Sequence, residues 1–573
     1  MSESNKKINS NRKQSLLRLA LVVGILVMLN IVAQFVYGYF DLTDDKRYSL
    51  TDSTEELIEN LDEKVFVTVY LEGDFPAGFR RLQSGVKDML KKFRSLSSQV
   101  DYQFIDPYAG NVEDVNKQVA LLGKMGLTPT RLAVKGNAES SESYIYPAAV
   151  IRYKGRSMPI NLLENKQGEN PEIALNNSIR QLEYKFANAF ENLMSSAKEY
   201  IVFLDGHGEL NAYQTAEMEK ELQQHYYTTR IKLDSITQIN DLVSLLIVAK
   251  PSQEFSSKDK FKIDQYIMNG GKVMWLVDKV AASLDSLRGK REHVPIDFKL
   301  NLDDMFFKYG FRINSNLVLD LECSPLALPV GGDANNPQFD MFDWWYHPVI
   351  DPTNVNHTIT KNLDRVELQF PSSIDTIETK GVNIQKKIFL QSSVQSREQR
   401  IPVRVFFDIL RYAPDKKVFN KQFNLGVVIE GEFESRFKNV VPKGMQDTLK
   451  SIGQSFKAKS ENNRMMVISD GDVIRNPVRR TREGLQPMPL GYNEFAKYTF
   501  ANKELMMNCI EYMLGKDNLI EARSKELKLR LLNKSKAEEE RGKWQFLNII
   551  LPLILLGIFG IAFNFIRRRR FAQ

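Results

Sequence analysis

Three ionisable side chains lie within five residues at the end of an apolar segment, in the sequence IVFLDGHGEL. Asp205, His207 and Glu209 are separated by two glycines, which allow the chain to turn sharply. Imidazole and carboxylate groups are suited to acid–base catalysis, and ligands of open α/β sheets bind beyond the carboxyl ends of the strands. The same residues also suit a strand-to-helix turn with an acid near a helix N-terminus. The segment therefore predicts a structural turn, a ligand or protein contact, or a catalytic site; we favour the turn, with the imidazole making only surface contacts.

A catalytic interpretation requires a nucleophile or a metal near His207. Cys323 lies in a proline-flanked loop, and Cys509 lies within a helical pattern, where a buried inert thiol is the usual explanation. The sequence contains no P-loop GxxxxGK[ST], HExxH, GxSxG or CxxC motif. We therefore predict a chain that is not an enzyme, that holds no cofactor or metal, and that depends on a partner for any ATP hydrolysis.

The aromatic stretch FDMFDWWYH, residues 339–347, is the second candidate contact site. Neighbouring side chains of a strand point to opposite faces, so Trp344 and Trp345 are not expected to enter one core. At least one of them, together with Tyr346, is expected to be exposed or covered by a partner, where tryptophan is favoured. Against this, we favour the interpretation that the insertion folds its aromatics onto its own sheet, and a sugar-stacking site is a third interpretation.

Two apolar segments predict membrane-spanning helices at residues 16–40 and 546–566, each long enough to cross about 30 Å of hydrocarbon. The first is longer than a signal-peptide core, and no small-x-small cleavage site precedes the acidic residues after it. Basic residues mark the cytoplasmic side, and they stand outside both segments: Lys6, Lys7, Arg12, Lys13, Arg18, Arg567, Arg568, Arg569 and Arg570. We predict a two-span protein of the inner membrane, with both termini cytoplasmic and the bulk of the chain periplasmic.

Small and polar residues inside these segments predict helix contacts within the bilayer. The two spans could pair with each other, and we also expect a further membrane subunit to contact them. The residues concerned are Gly24, Asn30, Gln34, Gly557, Gly560 and Asn564.

Between the spans, hydrophobic periodicity predicts an α/β fold. Residues 41–164 show a helix followed by strand, helix and strand, which indicates a small thioredoxin-like domain. Residues 165–520 alternate strands and helices, which predicts a doubly wound, flavodoxin-like sheet with an insertion at about 284–385. Residues 521–545 read as a charged juxtamembrane helix. Cytoplasmic tails are predicted at 1–15 and 567–573.

Several of these segments together resemble the GldG family of gliding-motility ABC transporter auxiliary (substrate-binding-like) proteins of Bacteroidetes. The segments are YSLTDSTEELIENLDEKVFVTVYLEGDFP, VFLDGHGE, IDQYIMNGGKVMWLVD, GVVIEGEFESRF and VISDGDVIRN. The resemblance implies a polytopic ABC-2-type membrane subunit and a separate cytoplasmic ATPase as partners. It also implies an amidotransferase-like sheet, through a domain shared with intraflagellar-transport proteins.

The leading hypothesis is a non-enzymatic auxiliary subunit of a transporter complex that serves gliding motility or linked secretion. The alternatives are a membrane-tethered hydrolase on the amidotransferase-like sheet and a solute-binding receptor for the permease. A deep pocket joining His207 to a nucleophile would favour the hydrolase, whereas an aromatic pocket would favour the receptor. The net charge of +7 arises partly from the basic membrane flanks, so the sequence indicates lipid contact rather than nucleic acid.

Overall fold

The computed structural model describes most of the chain between the two apolar segments and parts of both segments. The described residues are 18–28, 30, 49–523 and 540–571, with gaps at 74, 128, 136–139, 164–170, 196–197, 291, 334–335, 380, 440, 442–443, 445–446, 448–452, 454 and 483. The chain divides into a large unit, Met1–Asp41 with Tyr48–Lys525, and a small unit, Leu42–Arg47 with Glu526–Gln573. The structure confirms a mixed α/β fold.

The large unit contains a four-stranded sheet in its N-terminal part. The strand order is β2-β1-β5-β6, in which β1 and β2 are parallel and the other neighbours are antiparallel. The elements are α1 (Arg18–Met28), α2 (Asp52–Glu59), β1 (Val65–Val69), α3 (Ala77–Leu96), β2 (Val100–Phe104), α4 (Val112–Lys124), β3 (Thr130–Lys135), β4 (Ser140–Ile145), β5 (Ala148–Tyr153) and β6 (Arg156–Asn161). Strands β3 and β4 form a separate hairpin.

Two further helices complete the core of this small sheet. They are α5 (Pro171–Arg180) and α6 (Leu182–Met194), which the sequence predicts as one continuous helix. Phe186 and Phe190 of α6 meet Phe93 of α3 edge to face, with ring centroids 5.9 and 5.5 Å apart. The chain after the small sheet therefore folds back onto it before the large sheet begins.

The large sheet has seven strands in the order β18-β21-β22-β10-β9-β7-β8. Five neighbouring strands, from β22 to β8, are parallel, whereas β18 and β21 are antiparallel additions at one edge. The elements up to the central strand are β7 (Tyr200–Asp205), α7 (Ala216–His225), β8 (Tyr227–Lys232), β9 (Val243–Ala249), α8 (Ser257–Met268) and β10 (Lys272–Leu276).

The chain between β10 and the return of the sheet is mostly short strands. Its elements are β11 (Glu292–His293), α9 (Asp303–Lys308), β12 (Phe311–Ile313), β13 (Asn316–Asp320), β14 (Cys323–Asp333), β15 (Asn336–Ile350), β16 (Val366–Glu367), β17 (Ile374–Thr376), β18 (Ile384–Gln391), β19 (Ser396–Arg400), β20 (Val405–Phe406), β21 (Asn424–Glu434) and β22 (Lys459–Ile468). Strands β14 and β15 pair over most of their length as a long antiparallel ribbon. After β22 come β23 (Val478–Thr481), β24 (Gly484–Pro487), β25 (Tyr492–Asn493), β26 (Tyr498–Thr499), α10 (Asn502–Leu514) and α11 (Asp517–Arg523).

Helices cover both faces of the large sheet because its central strands are apolar on both sides. On one face, Ile201 and Met274 share a core with Met218 of α7 and Leu505 of α10. On the other, Trp275 shares a core with residues of α8 and α9.

The small unit contains α12 (Arg541–Gln545), a π-helical turn (Phe546–Ile550) and α13 (Leu551–Phe571). The continuous helix Arg541–Arg569 is long and apolar enough to cross a membrane. The predicted first span, residues 16–40, lies largely outside the described residues, and its described part is the shorter apolar helix Arg18–Met28. Gln34 and residues 524–539 of the predicted juxtamembrane helix 521–545 also lie outside them.

Candidate functional site

The loop after β7 is a tight turn that folds back onto the next parallel strand. Gly206 and Gly208 have φ values of +115° and +75°, in the region that favours glycine. The carbonyl oxygen of His207 accepts hydrogen bonds from the amides of Ser252 and Gln253, each at 2.9 Å. The amide of Leu210 donates to the carbonyl of Ala249 at 3.0 Å. The loop is therefore fastened to the segment that follows β9.

The imidazole of His207 lies between two carboxylates. Its Nδ1 lies 3.4 Å from Oε1 of Glu209, and its Nε2 lies 3.4 Å from Oδ2 of Asp259 at the start of α8. The ring stacks on Phe255 with centroids 3.9 Å apart, and His207 is only 7% exposed. The expectation that this imidazole makes only surface contacts is wrong, because α8 and Phe255 cover it.

This arrangement favours the protonated imidazole and places a carboxylate oxygen near each of its nitrogens. Burial opposes protonation, but the carboxylates of Glu209 and Asp259 outweigh burial and raise the pKa of His207. A general base must offer a free nitrogen to a substrate proton. Both nitrogens of His207 already face carboxylates, so the geometry suits an ion-paired structural residue.

The remaining predicted member of the loop, Asp205, ends β7 and is half-buried. Its partner in register is Lys232 of β8. The structure therefore brings together His207 and Glu209, as the sequence pattern suggests, and adds Asp259, which sequence reasoning missed. The motif that could have located it is SSKD, in which Ser256 caps α8 and accepts from the amide of Asp259.

A second polar cluster lies at the ends of β9, β10 and β22. Nζ of Lys250 lies 3.0 Å from Oδ2 of Asp278 and also contacts Asp472. Nη1 of Arg475 lies 3.1 Å from Oδ1 of Asp472. The oxygens of Asp470 accept from the amides of Gln369 and Asp472, each at 2.7 Å. We call Lys250, Asp278, Asp470 and Asp472 the edge cluster.

Charges in the edge cluster compensate one another inside the protein. Burial, with the charges of Asp278 and Asp472, raises the pKa of Asp470 well above its usual range. Burial opposes ionisation of Lys250, yet Asp278 and Asp472 raise its pKa. A nucleophilic lysine requires the opposite shift. The edge cluster therefore joins three strand ends and is not arranged for covalent catalysis.

Sequence reasoning missed the edge cluster. The signal was present, because IVFLD, LLIVAK, MWLVD and MVISD all end in a charged residue. Charges at the carboxyl ends of neighbouring parallel strands must meet at one edge of the sheet.

A third polar cluster joins α6, α10 and α11. Nη2 of Arg523 lies 2.6 Å from Oε1 of Glu511, whose side chain has no exposed surface. The hydroxyl of Tyr184 donates to the same oxygen at 2.8 Å and accepts from Arg523. Burial raises the pKa of Glu511, and Arg523 opposes that shift. This cluster fastens the last helix before Lys525 to the body of the large unit.

The aromatic stretch is interior. Trp344, Trp345 and Tyr346 are 0%, 7% and 1% exposed. The aromatics pack against their own chain, as the favoured interpretation has it, and the alternative that one tryptophan is exposed or partner-covered is wrong, because one segment of this chain covers both sides of β15. Trp344 lies 5.4 Å from Phe407 and Trp345 lies 5.8 Å from Phe419, between ring centroids.

Cys509 lies in a helix as expected, whereas Cys323, expected in a loop, lies in a strand. Cys509 is buried within α10, and Cys323 begins β14. Burial raises the pKa of both thiols above their usual range. Among the described residues, no group of three or more His, Cys, Asp and Glu side chains is arranged to hold a metal ion.

Two cavities lie away from the sheet edge. One, of about 270 Å³, is lined by α2, α6 and Leu519. The other, of about 430 Å³, is lined by Asp304, Phe307 and the segment after β21. His207 and the edge cluster line neither of them. Of the predicted intramembrane contacts, Gly24 and Asn30 lie in or just after α1, and Gly557, Gly560 and Asn564 lie in α13.

Comparison with known proteins places this chain among uncharacterised relatives. Residues 198–509 match the family described as ABC-type uncharacterized transport system, and residues 44–152 match a domain of unknown function. An uncharacterized protein of Borreliella burgdorferi is 23% identical, with 98% of this chain and 99% of the relative covered. The solved mmIFT52 N-terminal domain is similar at a TM-score of 0.29 and 11% identity, covering 55% of this chain and 97% of that one.

Proposed function

The chain belongs to the ABC-type uncharacterized transport system family, and we propose that it is a non-enzymatic auxiliary subunit of such a transporter. The family match carries this proposal, since it spans the large sheet and both polar clusters at its carboxyl edge. In this proposal the chain is held in the inner membrane by two spans, with its body in the periplasm.

The side-chain pairing at the carboxyl ends of the parallel strands supports a non-enzymatic role. In many α/β proteins this edge is where a ligand binds. Here each nitrogen of His207 lies 3.4 Å from a carboxylate oxygen, and the lysine of the edge cluster is neutralised by Asp278 and Asp472. The side chains at this edge hold loops together rather than face a substrate.

The energy for transport must come from another subunit in this proposal. The sequence has no P-loop, which nucleotide hydrolysis of the ABC type requires. We infer that the partners are a polytopic ABC-2-type membrane subunit and, through it, a cytoplasmic ATPase. Gliding motility or linked secretion is the process that the resemblance to the GldG family suggests.

The apolar helix Arg541–Arg569 supports the membrane anchor. Its basic C-terminal end supports a cytoplasmic C-terminus. We further infer that the small sheet is thioredoxin-like and the large one doubly wound. The parallel central strands and the helices on both faces of the large sheet support the second assignment.

Purification of the full-length chain from native membranes tests the assembly. We expect a polytopic membrane protein and a P-loop ATPase to co-purify in fixed ratio, as identified by mass spectrometry. Gly557→Leu with Gly560→Leu should reduce this recovery, because bulky residues prevent close helix approach. Ile554→Leu with Leu555→Ile is the matched control that keeps volume. Recovery of the chain alone from native membranes contradicts the proposal.

Topology is tested separately with single cysteines and a membrane-impermeant thiol reagent. Asn5→Cys and Gln573→Cys should stay unlabelled in intact cells. Tyr213→Cys, whose parent side chain is 56% exposed, should react once the outer barrier is permeabilised. Labelling at either terminus in intact cells eliminates the two-span arrangement.

A further inference from the structure

The outer half of the β14–β15 ribbon is exposed on both faces. Residues Pro329 to Asp333 of β14 are all exposed, and so are Gln338 to Met341 of β15. Successive side chains of a strand point to opposite faces. A run of consecutive exposed residues therefore means that neither face of this part of the ribbon is covered by the described chain.

The exposed part carries large apolar side chains. Val330, Phe339 and Met341 are 51%, 57% and 51% exposed. The register shift between Pro329 and Gly331 leaves Val330 without a cross-strand partner. Phe339 pairs in register with Pro329, and Met341 pairs with Ala327, so these residues share one face of the ribbon. We call Val330, Phe339 and Met341 the ribbon tip.

An isolated two-stranded ribbon is only marginally stable in water. A partner that covers the exposed half of this ribbon would therefore stabilise it. From Pro329 to Asp333 the strand extends about 13 Å, at about 3.3 Å per residue. Pro325 and Pro329 lack amide hydrogens, which limits strand addition along β14. A partner is therefore expected to contact the apolar face rather than to extend the sheet.

The charge of this part of the chain selects the kind of partner. Residues 313–360 contain no Lys or Arg, although these make up 78 of the 573 residues. The same segment contains six acidic residues, and Asp340 and Asp343 beside the tip are exposed. Burial lowers the pKa of His347 to about 3 and that of His357 to about 4, so both histidines are neutral at pH 7.

We infer that the ribbon tip docks into an apolar groove of another protein, rimmed by lysine or arginine. Aromatic side chains such as Phe339 are favoured anchors at the centre of interfaces. Complementary charge at the rim steers and selects the partner. An anionic lipid surface repels the acidic flanks, and a second copy of this chain would place acidic ribbon against acidic ribbon.

Site-specific crosslinking of the full-length chain in native cells tests this inference. The photo-reactive residue p-benzoylphenylalanine replaces Phe339, and in a matched control it replaces Phe307, which is 60% exposed on α9. We expect an adduct with a different protein from position 339. The captured peptide, sequenced by mass spectrometry, should contain lysine or arginine next to apolar residues. Asp340→Asn with Asp343→Asn should reduce the yield roughly fivefold to tenfold.

Membrane levels and the protease-resistant core should match the parent protein in all variants, because the substituted residues are exposed. Adducts with lipid or with a second copy overturn the inference. A crosslinking yield at position 339 no higher than that at position 307 also overturns the inference. A captured peptide without basic residues does the same, as does a yield that the aspartate substitutions leave unchanged. The inference does not depend on the transporter assignment: a captured protein unrelated to transport would contradict that assignment and leave the docking chemistry intact.

Discussion

Replacing Lys250 by methionine tests whether the edge cluster holds the three strand ends together. Methionine keeps an unbranched side chain, so the variant removes the ammonium group with little loss of packing. In the wild type, Nζ lies 3.0 Å from Asp278, and at that distance and an effective dielectric constant of about 20 one pair attracts by about 5.5 kcal/mol. Arg475 still neutralises Asp472 in the variant. Asp278 is therefore the carboxylate that loses most of its electrostatic stabilisation in the variant.

Protonation of Asp278 in the variant reduces the destabilisation caused by the lost attraction to Lys250. For a carboxyl with a pKa near 4, protonation at pH 7 costs about 4 kcal/mol, at about 1.4 kcal/mol per pH unit. Burial raises the pKa of Asp278 and so reduces this cost. We expect Lys250→Met to lower the free energy of unfolding by about 3–4 kcal/mol at pH 7, within the range for a broken buried ion pair. The loss should fall to about 1–2 kcal/mol at pH 5, where the proton is bound more readily.

Urea unfolding of the purified full-length chain measures this loss, with tryptophan fluorescence as the signal. Trp275 of β10 is fully buried and reports on this part of the sheet. Lys299→Met is the matched control, because Lys299 is exposed. Adding Asp278→Asn to Lys250→Met should recover at least half of the loss, since an unpaired buried charge costs more than a missing pair. A loss below about 1 kcal/mol at pH 7, or one equal at pH 5 and 7, refutes the reasoning.

Three other predictions concern the polar residues around the sheets. The carboxylates raise the pKa of His207, so its contribution to stability is complete below the unfolded pKa of about 6.5 and is lost as the pH rises through the folded pKa. The difference in melting temperature between the wild type and His207→Gln should therefore narrow from pH 6 to pH 9. A constant difference contradicts this prediction. Gly208→Ala should lower the free energy of unfolding by about 1–3 kcal/mol, because alanine is strained at the positive φ of this residue. The loss should be larger still because the new Cβ would lie 2.1 Å from Oγ of Ser252. An unchanged melting temperature contradicts this prediction. Arg523→Met should lower the free energy of unfolding in urea by about 3–5 kcal/mol, since the fully buried Glu511 loses its cation. Adding Glu511→Gln to this variant should restore part of that free energy. No restoration argues against the ion pair.

Secondary structure follows well from the sequence where one residue pattern dominates. The strands predicted at YIVFLD, SLLIVA and KVMWL are present, since apolar β-formers bounded by glycine, proline or charge have few alternatives. The helix predicted at the start of residues 41–164 also forms, as α2, and Thr51 caps it. The helix at 112–124 was missed, because only Leu122 of its residues is buried and its apolar periodicity is weak.

Tertiary placement was less predictable than local structure. The expectation for Trp344 and Trp345 followed strand geometry correctly but could not include Phe407 and Phe419, which lie more than 60 residues later and cover both sides of the strand. The same holds for His207, which is covered by Phe255, just before α8, and by Asp259 in the first turn of that helix. Burial of a side chain depends on such distant segments, and the local pattern does not contain them.

The order of the strands in the large sheet has a consequence for how the chain is made. Strand β10 ends at Leu276, and its parallel neighbour β22 begins only at Lys459. At about 5–20 residues per second, the intervening residues take roughly 10–40 s to synthesise. During that time β10 is an apolar sheet edge with unpaired backbone groups, which is a template for aggregation. A chain that stops before β22 therefore keeps that edge open, and the newly made protein needs protection until the last parallel strand arrives.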